Sequence, residues 1–357
     1  MLASAGADSR VIVWDLSAGL PILLYSGHKG SVNSVRFHPT LPFILTASGD
    51  RTAHISRTLD SSGLPTALNA ASAVSDSPGA RHHSHVLSNS IPSEAAAHSS
   101  AGGAPRRPSV SGTTAIRPVI EVRGHSSAVT TAEWLVRDQL VTCSSSGLAR
   151  LVAVANGEPQ DVFSWQAHEN AICNVTAHPT QALFITSSKD GFFKLWDARS
   201  VRVATAFDAH SGPLATAIFS PNNGDVVVSS GENNLCVWET RMAKAPLVSV
   251  SSSHSGNRVA FSPSGLQFAV PRDDGGTRVY SIKGEVAFDL DTRHVDVIRS
   301  LSPSHGVQQA AASLPEPLST TVDRPLRLMC ASAWTADERF IFSGGWACTV
   351  FGWKHML

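Results

Sequence analysis

Three things are scarce in this 357-residue chain, and each scarcity removes a class of function. Net charge is the first. With 28 acidic residues balancing 28 basic ones, the chain lacks the basic excess of a protein that binds nucleic acid by neutralising many phosphates. Long apolar runs are the second. No stretch approaches the roughly 18 uninterrupted apolar residues of a membrane-spanning helix, and the opening MLASAGADSR has neither the basic start nor the apolar segment of a secretion signal. A soluble, intracellular protein is the expectation. Paired cysteines are the third: Cys143, Cys173, Cys236, Cys330 and Cys348 lie far apart and make no CxxC, so neither a zinc ribbon nor a thioredoxin-type redox motif is present. They read as core thiols of a reducing compartment.

Apolar residues are plentiful at 42%, enough for a packed core and too many for wholesale disorder. Self-similarity then decides the architecture. The stretch from Ile185 to Asp197, ITSSKDGFFKLWD, recurs from Val228 to Glu239, from Leu2 to Asp15 and, without its Trp, from Leu45 to Arg57. Fainter copies end near Val152, Tyr280 and Trp353. A second landmark keeps step with the first: His28, His168 and His210 each stand 22 residues before Asp50, Asp190 and Glu232. Trp14 to Ser56, Trp196 to Trp238 and Trp238 to Tyr280 are steps of 42, and Val152 to Trp196 is 44, the period of a propeller blade.

Residue type and spacing share one structural explanation. In such a blade a His before the innermost strand, a Ser or Thr on the second strand, an acidic residue in the tight turn and a Trp on the third strand can link by hydrogen bonds. The expected set is His168, Thr186 or Ser188, Asp190 and Trp196, with His28 and Asp50 in the second blade and His210, Glu232 and Trp238 in the fifth. The second, third and seventh repeats lack one or more members and are expected to rely on plain apolar packing. Neither metal ligation nor acid–base catalysis is the favoured reading of these His and Asp residues, because the structural role explains type and spacing together.

Two segments fall outside the period. Thr58 to Ile116 is rich in Ser, Ala, Pro, Gly and His and reads as a disordered insertion in the second blade; Thr292 to Asp323 reads as a second one before the last blade. The first carries His82, His83 and His85, most simply solvated, and Ser109 behind Arg106 and Arg107, a candidate phosphosite for a basophilic kinase. Ring closure needs about one 42-residue blade period from the two chain ends together, which supply 18 residues and fall about 24 short. The first blade is therefore expected to lack its innermost strand, the last its outer strand, and the natural polypeptide to start further upstream. The fold expected is a single all-β, seven-bladed propeller over residues 1–357, incomplete at its N-terminus.

The segments GHKGSVNSVRFHP, LTASGDRTAHI, HPTQALFITSSKDGFFKLWD, CASAW and FGW resemble the WD-repeat family, and one branch of it most closely. The likeness runs from Leu2 to about Trp353 and includes the position of the long loop after TAHI. Two departures stand out: the branch has a sizeable region with a helical segment before its first blade, and it has Trp where this chain has Ser56. The resemblance implies a non-enzymatic scaffold whose partners are phosphofurin acidic cluster sorting proteins, in cytoplasm and nucleus, with links to calcium handling and membrane traffic. It assigns no partner-binding residue.

Three functions can be weighed. A binding platform leads, because loops on a rigid scaffold are where partners are gripped. A chromatin or nucleic-acid adaptor would need a basic patch. A propeller enzyme is remote: no HExxH, GxSxG or phosphate-cradling Gly-Lys-Ser/Thr loop is present, and the nearest acidic pair, Asp273 and Asp274 before Gly275 and Gly276, has the composition of a tight turn. No cofactor, metal or small-molecule substrate is expected.

Overall fold

The computed structural model describes residues 1–16, 20–58, 115–116, 118–136, 139–155, 158–232, 234–252, 256–290, 329–345 and 350–354. These residues form β-strands joined by turns and loops. The first sheet holds β1 (Leu2–Ala5), β2 (Val11–Asp15) and β3 (Leu20–Tyr25), and the second β4 (Val32–Phe37), β5 (Phe43–Ser48) and β6 (Ala53–Arg57). The chain then revisits both: β7 (Ala115–Ile116) lies parallel beside β3, and β8 (Ile120–Val122) completes the second sheet beside β6. The third sheet is β9 (Val129–Trp134), β10 (Gln139–Ser144), β11 (Leu148–Ala155) and β12 (Glu158–Gln166). The fourth is β13 (Ile172–Ala177), β14 (Leu183–Ser188), β15 (Phe192–Asp197) and β16 (Arg202–Asp208). The fifth is β17 (Leu214–Phe219), β18 (Val226–Gly231), β19 (Asn234–Glu239) and β20 (Val248–Ser251), and the sixth β21 (Ala260–Phe261), β22 (Gln267–Pro271), β23 (Thr277–Ser281) and β24 (Val286–Leu290). The last sheet, β25 (Met329–Trp334), β26 (Phe340–Gly345) and β27 (Val350–Lys354), has three strands among the described residues.

This corrects the expected count. Among the described residues six blades are four-stranded where seven blades were expected, and the last sheet, ending on the strand of Trp353, has three. Register explains the first blade too: Leu2 lies opposite Trp14 as Phe184 lies opposite Trp196, which makes β1 a second-position strand. The fourth strand of that sheet is the short parallel β7, built from the last residues of the first insertion. The remainder of that insertion, with His82, His83, His85 and Ser109, and the second insertion lie outside the described residues.

Apart from the parallel β3–β7 pair, adjacent strands in each blade pair antiparallel, and the sequence anticipates the geometry of the tight turns. After Asp190, Gly191 takes φ +88°, a conformation that costs Gly nothing and L side chains about 1–2 kcal/mol. The second blade puts Arg51 in the same place at φ +72°.

The core is divided among the seams between blades. Ile55, Leu45 and Ala47 of the second blade pack with Ala132, Trp134, Leu140 and Val152 of the third; Val141 and Leu151 meet Val175, Phe184 and Trp196; Ile185, Phe193 and Phe207 meet Leu214, Val227 and Trp238. Smaller clusters join the first blade to the second, the fifth to the sixth and the sixth to the last. Each buried aliphatic or aromatic side chain contributes roughly 1.5–3 kcal/mol, so the seams hold the disc together. At the opposite end from the tight turns, two His-Pro corners fasten neighbouring blades. Nδ1 of His178 accepts the N–H groups of Thr180 and Gln181 at 3.1 and 3.0 Å while its ring meets Phe219 edge-on at 5.0 Å. His38 repeats this with Thr40, Leu41 and Trp134.

Candidate partner-binding site at the channel mouth

The fourth blade shows how one face is held rigid. The Trp196 indole donates to Thr186 Oγ1 at 2.8 Å, the Thr186 hydroxyl donates to His168 Nε2 at 2.7 Å, and His168 Nδ1 donates to Asp190 at 2.9 Å. All the protons point one way, so the imidazole is neutral, and burial accordingly lowers the His168 pKa. Ser188 stands outside this line; its hydroxyl donates to the carbonyl of Asn170 and accepts the N–H of Asp190. The fifth blade joins Trp238, Ser229 and His210 in the same manner, but Nδ1 of His210 meets Asn234. Glu232, expected there from its 22-residue spacing, is exposed instead. Two more residues of travel bring an amide that can accept without the cost of desolvating a carboxylate.

The second blade overturns the expectation of plain apolar packing. His28 reaches Asp50 through Nδ1 at 2.8 Å and Thr46 through Nε2 at 2.7 Å. Beside it stands His54, which accepts from the Tyr25 hydroxyl at Nδ1 and meets Thr52 Oγ1 through Nε2 at 3.0 Å. Thr52 in turn donates to Asp50 at 2.6 Å. Burial pushes the Asp50 pKa up, yet hydrogen bonds from Thr52, the Lys29 N–H and His28 outweigh it and hold the carboxyl below its ordinary range. The signal for this network lies in Tyr25 and His54, which belong to no repeat landmark. In the third blade His125 Nε2 meets Thr142 at 2.8 Å, and its Nδ1 has no partner among the described residues. Burial brings its pKa down to about 4. Asp274 keeps to its turn, accepting the Gly276 N–H at 2.9 Å and pairing with Arg272 at 3.1 Å.

The innermost strands line a central channel, and their irregularities decide what it offers. The ladder skips Asn33 in β4, Thr130 in β9 and Cys173 in β13, so each is the extra residue of a β-bulge. A bulge leaves a carbonyl without a ladder partner. Arg258, from the sixth blade, collects all three across the channel, donating to the carbonyls of Asn33 at 3.0 Å and of Thr130 and Cys173 at 3.2 Å. Side chains tie the same strands in series: Asn33 donates to the Val129 carbonyl, Thr130 to the Ile172 carbonyl and Asn174 to Thr216. Deeper, Arg36 joins Glu133 at 2.9 Å and reaches Asn174 at 3.4 Å. Burial raises the Glu133 pKa against the attraction of Arg36.

Above Arg258, on the face that carries the His loops and tight turns, opens a cavity of about 580 Å³. Its rim includes Ser145, Lys189, Pro213, Glu232 and Asn257, contributed by the third to sixth blades, and its floor includes Cys173 and Arg258. Three exposed rim residues, Lys189, Pro213 and Glu232, present a cation, a rigid apolar ring and a carboxylate side by side. Burial raises the Cys173 thiol pKa and nearby Lys189 and Arg258 oppose it. Repeat spacing points to none of these rim residues as a binding residue, and the one it does mark, Glu232, it places in a blade network instead; periodicity marks what repeats, and a binding rim is made of what does not.

Repeat spacing, blade networks and channel together define a β-propeller, and the WD domain, G-beta repeat family model matches residues 19–55 and 159–197. Across 99% of its length the chain is similar to WD repeat-containing protein 37, with 30% identity to the Xenopus laevis protein and 29% to that of Homo sapiens. It is also 25% identical, over 68% of its length and 63% of the relative's, to the ribosome biogenesis protein WDR12 homolog of Ixodes scapularis. The chain spans 64% of the length of the WD repeat-containing protein 37 relatives. No helix among the described residues is long and apolar enough to cross a membrane.

Proposed function

We propose that this chain is a non-enzymatic scaffold that grips protein partners at the channel mouth on its His-loop face. The observation that carries this reading is the cavity of about 580 Å³ where loops of four blades converge with Lys189 and Glu232 on its rim. The frame around it is fixed by buried hydrogen-bond chains, so a partner meets preorganised groups and little ordering entropy is lost on binding. The family resemblance extends the proposal to phosphofurin acidic cluster sorting proteins as partners and to a cytoplasmic and nuclear location, and Arg106 and Arg107 before Ser109 add a candidate phosphosite. Likeness to WD repeat-containing protein 37 supports the scaffold reading.

Affinity purification with mass spectrometry tests it, comparing the chain with a Lys189→Glu, Glu232→Lys double variant. A sorting protein or other specific partner captured by the native chain and lost from the equally folded double variant is the expected result. Partners retained unchanged by the variant refute the channel mouth as the site. Turnover of a substrate by the purified chain refutes the non-enzymatic reading.

A further inference from the structure

The most unusual polar cluster in the molecule lies away from the channel mouth, on the seam between the first and second blades. The imidazoles of His28 and His54 are stacked 3.8 Å apart and 8° from parallel, and the Tyr25 ring meets both edge-on. Both His residues are buried. Tyr25 belongs to β3 of the first blade and His54 to β6 of the second, so the hydroxyl-to-Nδ1 bond between them crosses the seam. Every ring nitrogen is already engaged, since His28 donates to Asp50 and accepts from Thr46, while His54 accepts from Tyr25 and donates towards Thr52.

A proton added to this cluster has two places to go. On His54 Nδ1 it faces the Tyr25 hydroxyl, and on His28 Nε2 it faces the Thr46 hydroxyl. At His54 a donor then meets a donor until the Tyr25 hydroxyl turns away, whereas the Thr46 hydroxyl can donate to the His54 carbonyl at 3.3 Å and accept from His28. A second proton would place two cations in parallel rings. The ionisable groups around the pair are Tyr25 on β3, Asp50 in the β5–β6 turn, and Glu121 on β8, 3.6 Å from His54 Nε2 and itself paired with Arg123. The two carboxylates favour a first proton; the stack resists a second. Burial lowers the pKa of both His residues, that of His54 to about 4, and pushes the Tyr25 hydroxyl up.

We propose that the stacked His28–His54 pair is an acid-operated latch that locks β3 of the first blade to β6 of the second while both rings are neutral and releases that seam when the pair is protonated. Blade four, with His168 and no stacked imidazole, lacks the device and serves as the internal reference.

Hydrogen exchange read by mass spectrometry on the full chain, between pH 7.5 and 4.5 and corrected for intrinsic exchange, tests the latch. Amides of β3, β5 and β6 should lose at least tenfold more protection than those of β14 and β15 as the pH falls. His54→Gln, which keeps a polar group but cannot titrate, should erase the excess. Equal loss in the two blades, or an excess that persists in His54→Gln, overturns the proposal. Ring-proton NMR of the unaltered chain gives a second readout that needs no variant. A depressed His54 midpoint moving together with the Tyr25 ring signals supports the latch, and a midpoint at the ordinary value of about 6.5 without any Tyr25 response overturns it.

Discussion

Replacing Arg258 by Ala should weaken the whole ring more than any other single charged-to-Ala change in the channel. The guanidinium makes three charge-assisted hydrogen bonds to bulge carbonyls on β4, β9 and β13. A hydrogen bond to a charged group is worth about 1.5–3 kcal/mol, which sets an upper bound of about 5–9 kcal/mol for three. Two effects cut this down. Arg258 is only half-buried and lies on the floor of a cavity, so water can enter and satisfy part of what is lost, and removing the side chain also relieves the cost of holding it in one rotamer. A net loss of about 2–4 kcal/mol remains. Arg258→Lys keeps the charge but cannot reach three carbonyls from one planar fork, and should recover less than half of the loss. Urea unfolding followed by Trp fluorescence measures both, with the m-value checking that the transition stays cooperative. A loss below about 0.5 kcal/mol for Ala, or full recovery by Lys, would refute the claim that the fork holds the bulges.

Other expectations follow from the blade networks. Thr186→Val deprives both the Trp196 indole and His168 of their partner and should cost about 2–4 kcal/mol, whereas Thr46→Val deprives His28 without any indole and should cost about 1–2; equal losses in thermal unfolding would count against the chain of donors. Because the folded pKa of His125 lies below its unfolded value, the unfolded state takes up protons first as pH falls, so stability is full above about pH 6.5 and declines towards pH 4, by roughly 3 kcal/mol for this residue. His125→Gln should flatten that part of the stability profile, and an unchanged profile would show that another group titrates. Arg51→Gly should stabilise by about 0.5–1 kcal/mol in denaturant titrations by removing a side chain from φ +72°, while Gly191→Ala should destabilise, with its added carbon 2.6 Å from the His210 carbonyl.

Repeat spacing makes the blades legible in the sequence, because a period near 42 with two landmarks in step leaves few alternatives. Thr186 and Asp190 are legible for the same reason. What spacing cannot reveal is everything specified by a departure from it. His54 sits where the fourth blade has Lys194, and only its neighbours Tyr25, on β3, and Thr52, in the β5–β6 turn, make it part of a network. Asn234 displaces Glu232 because a carboxylate can stay exposed at the rim while a neutral amide completes the buried pair. The bulges at Asn33, Thr130 and Cys173 are invisible as well, since a single skipped residue leaves the apolar alternation of a six-residue strand nearly unchanged.

Arg258 also changes how the molecule should assemble. A propeller whose blades touch only their neighbours resembles a row of dominoes, each unit answering to the next. This side chain instead connects the sixth blade to residues 225, 128 and 85 positions earlier in the chain. Its three bonds can coexist only where the second, third and fourth blades curve into an arc, and they reward that curvature. Arg258 thus couples distant parts of the ring: an arrangement of the early blades along any other arc forfeits these bonds, and the native arc is sealed by them.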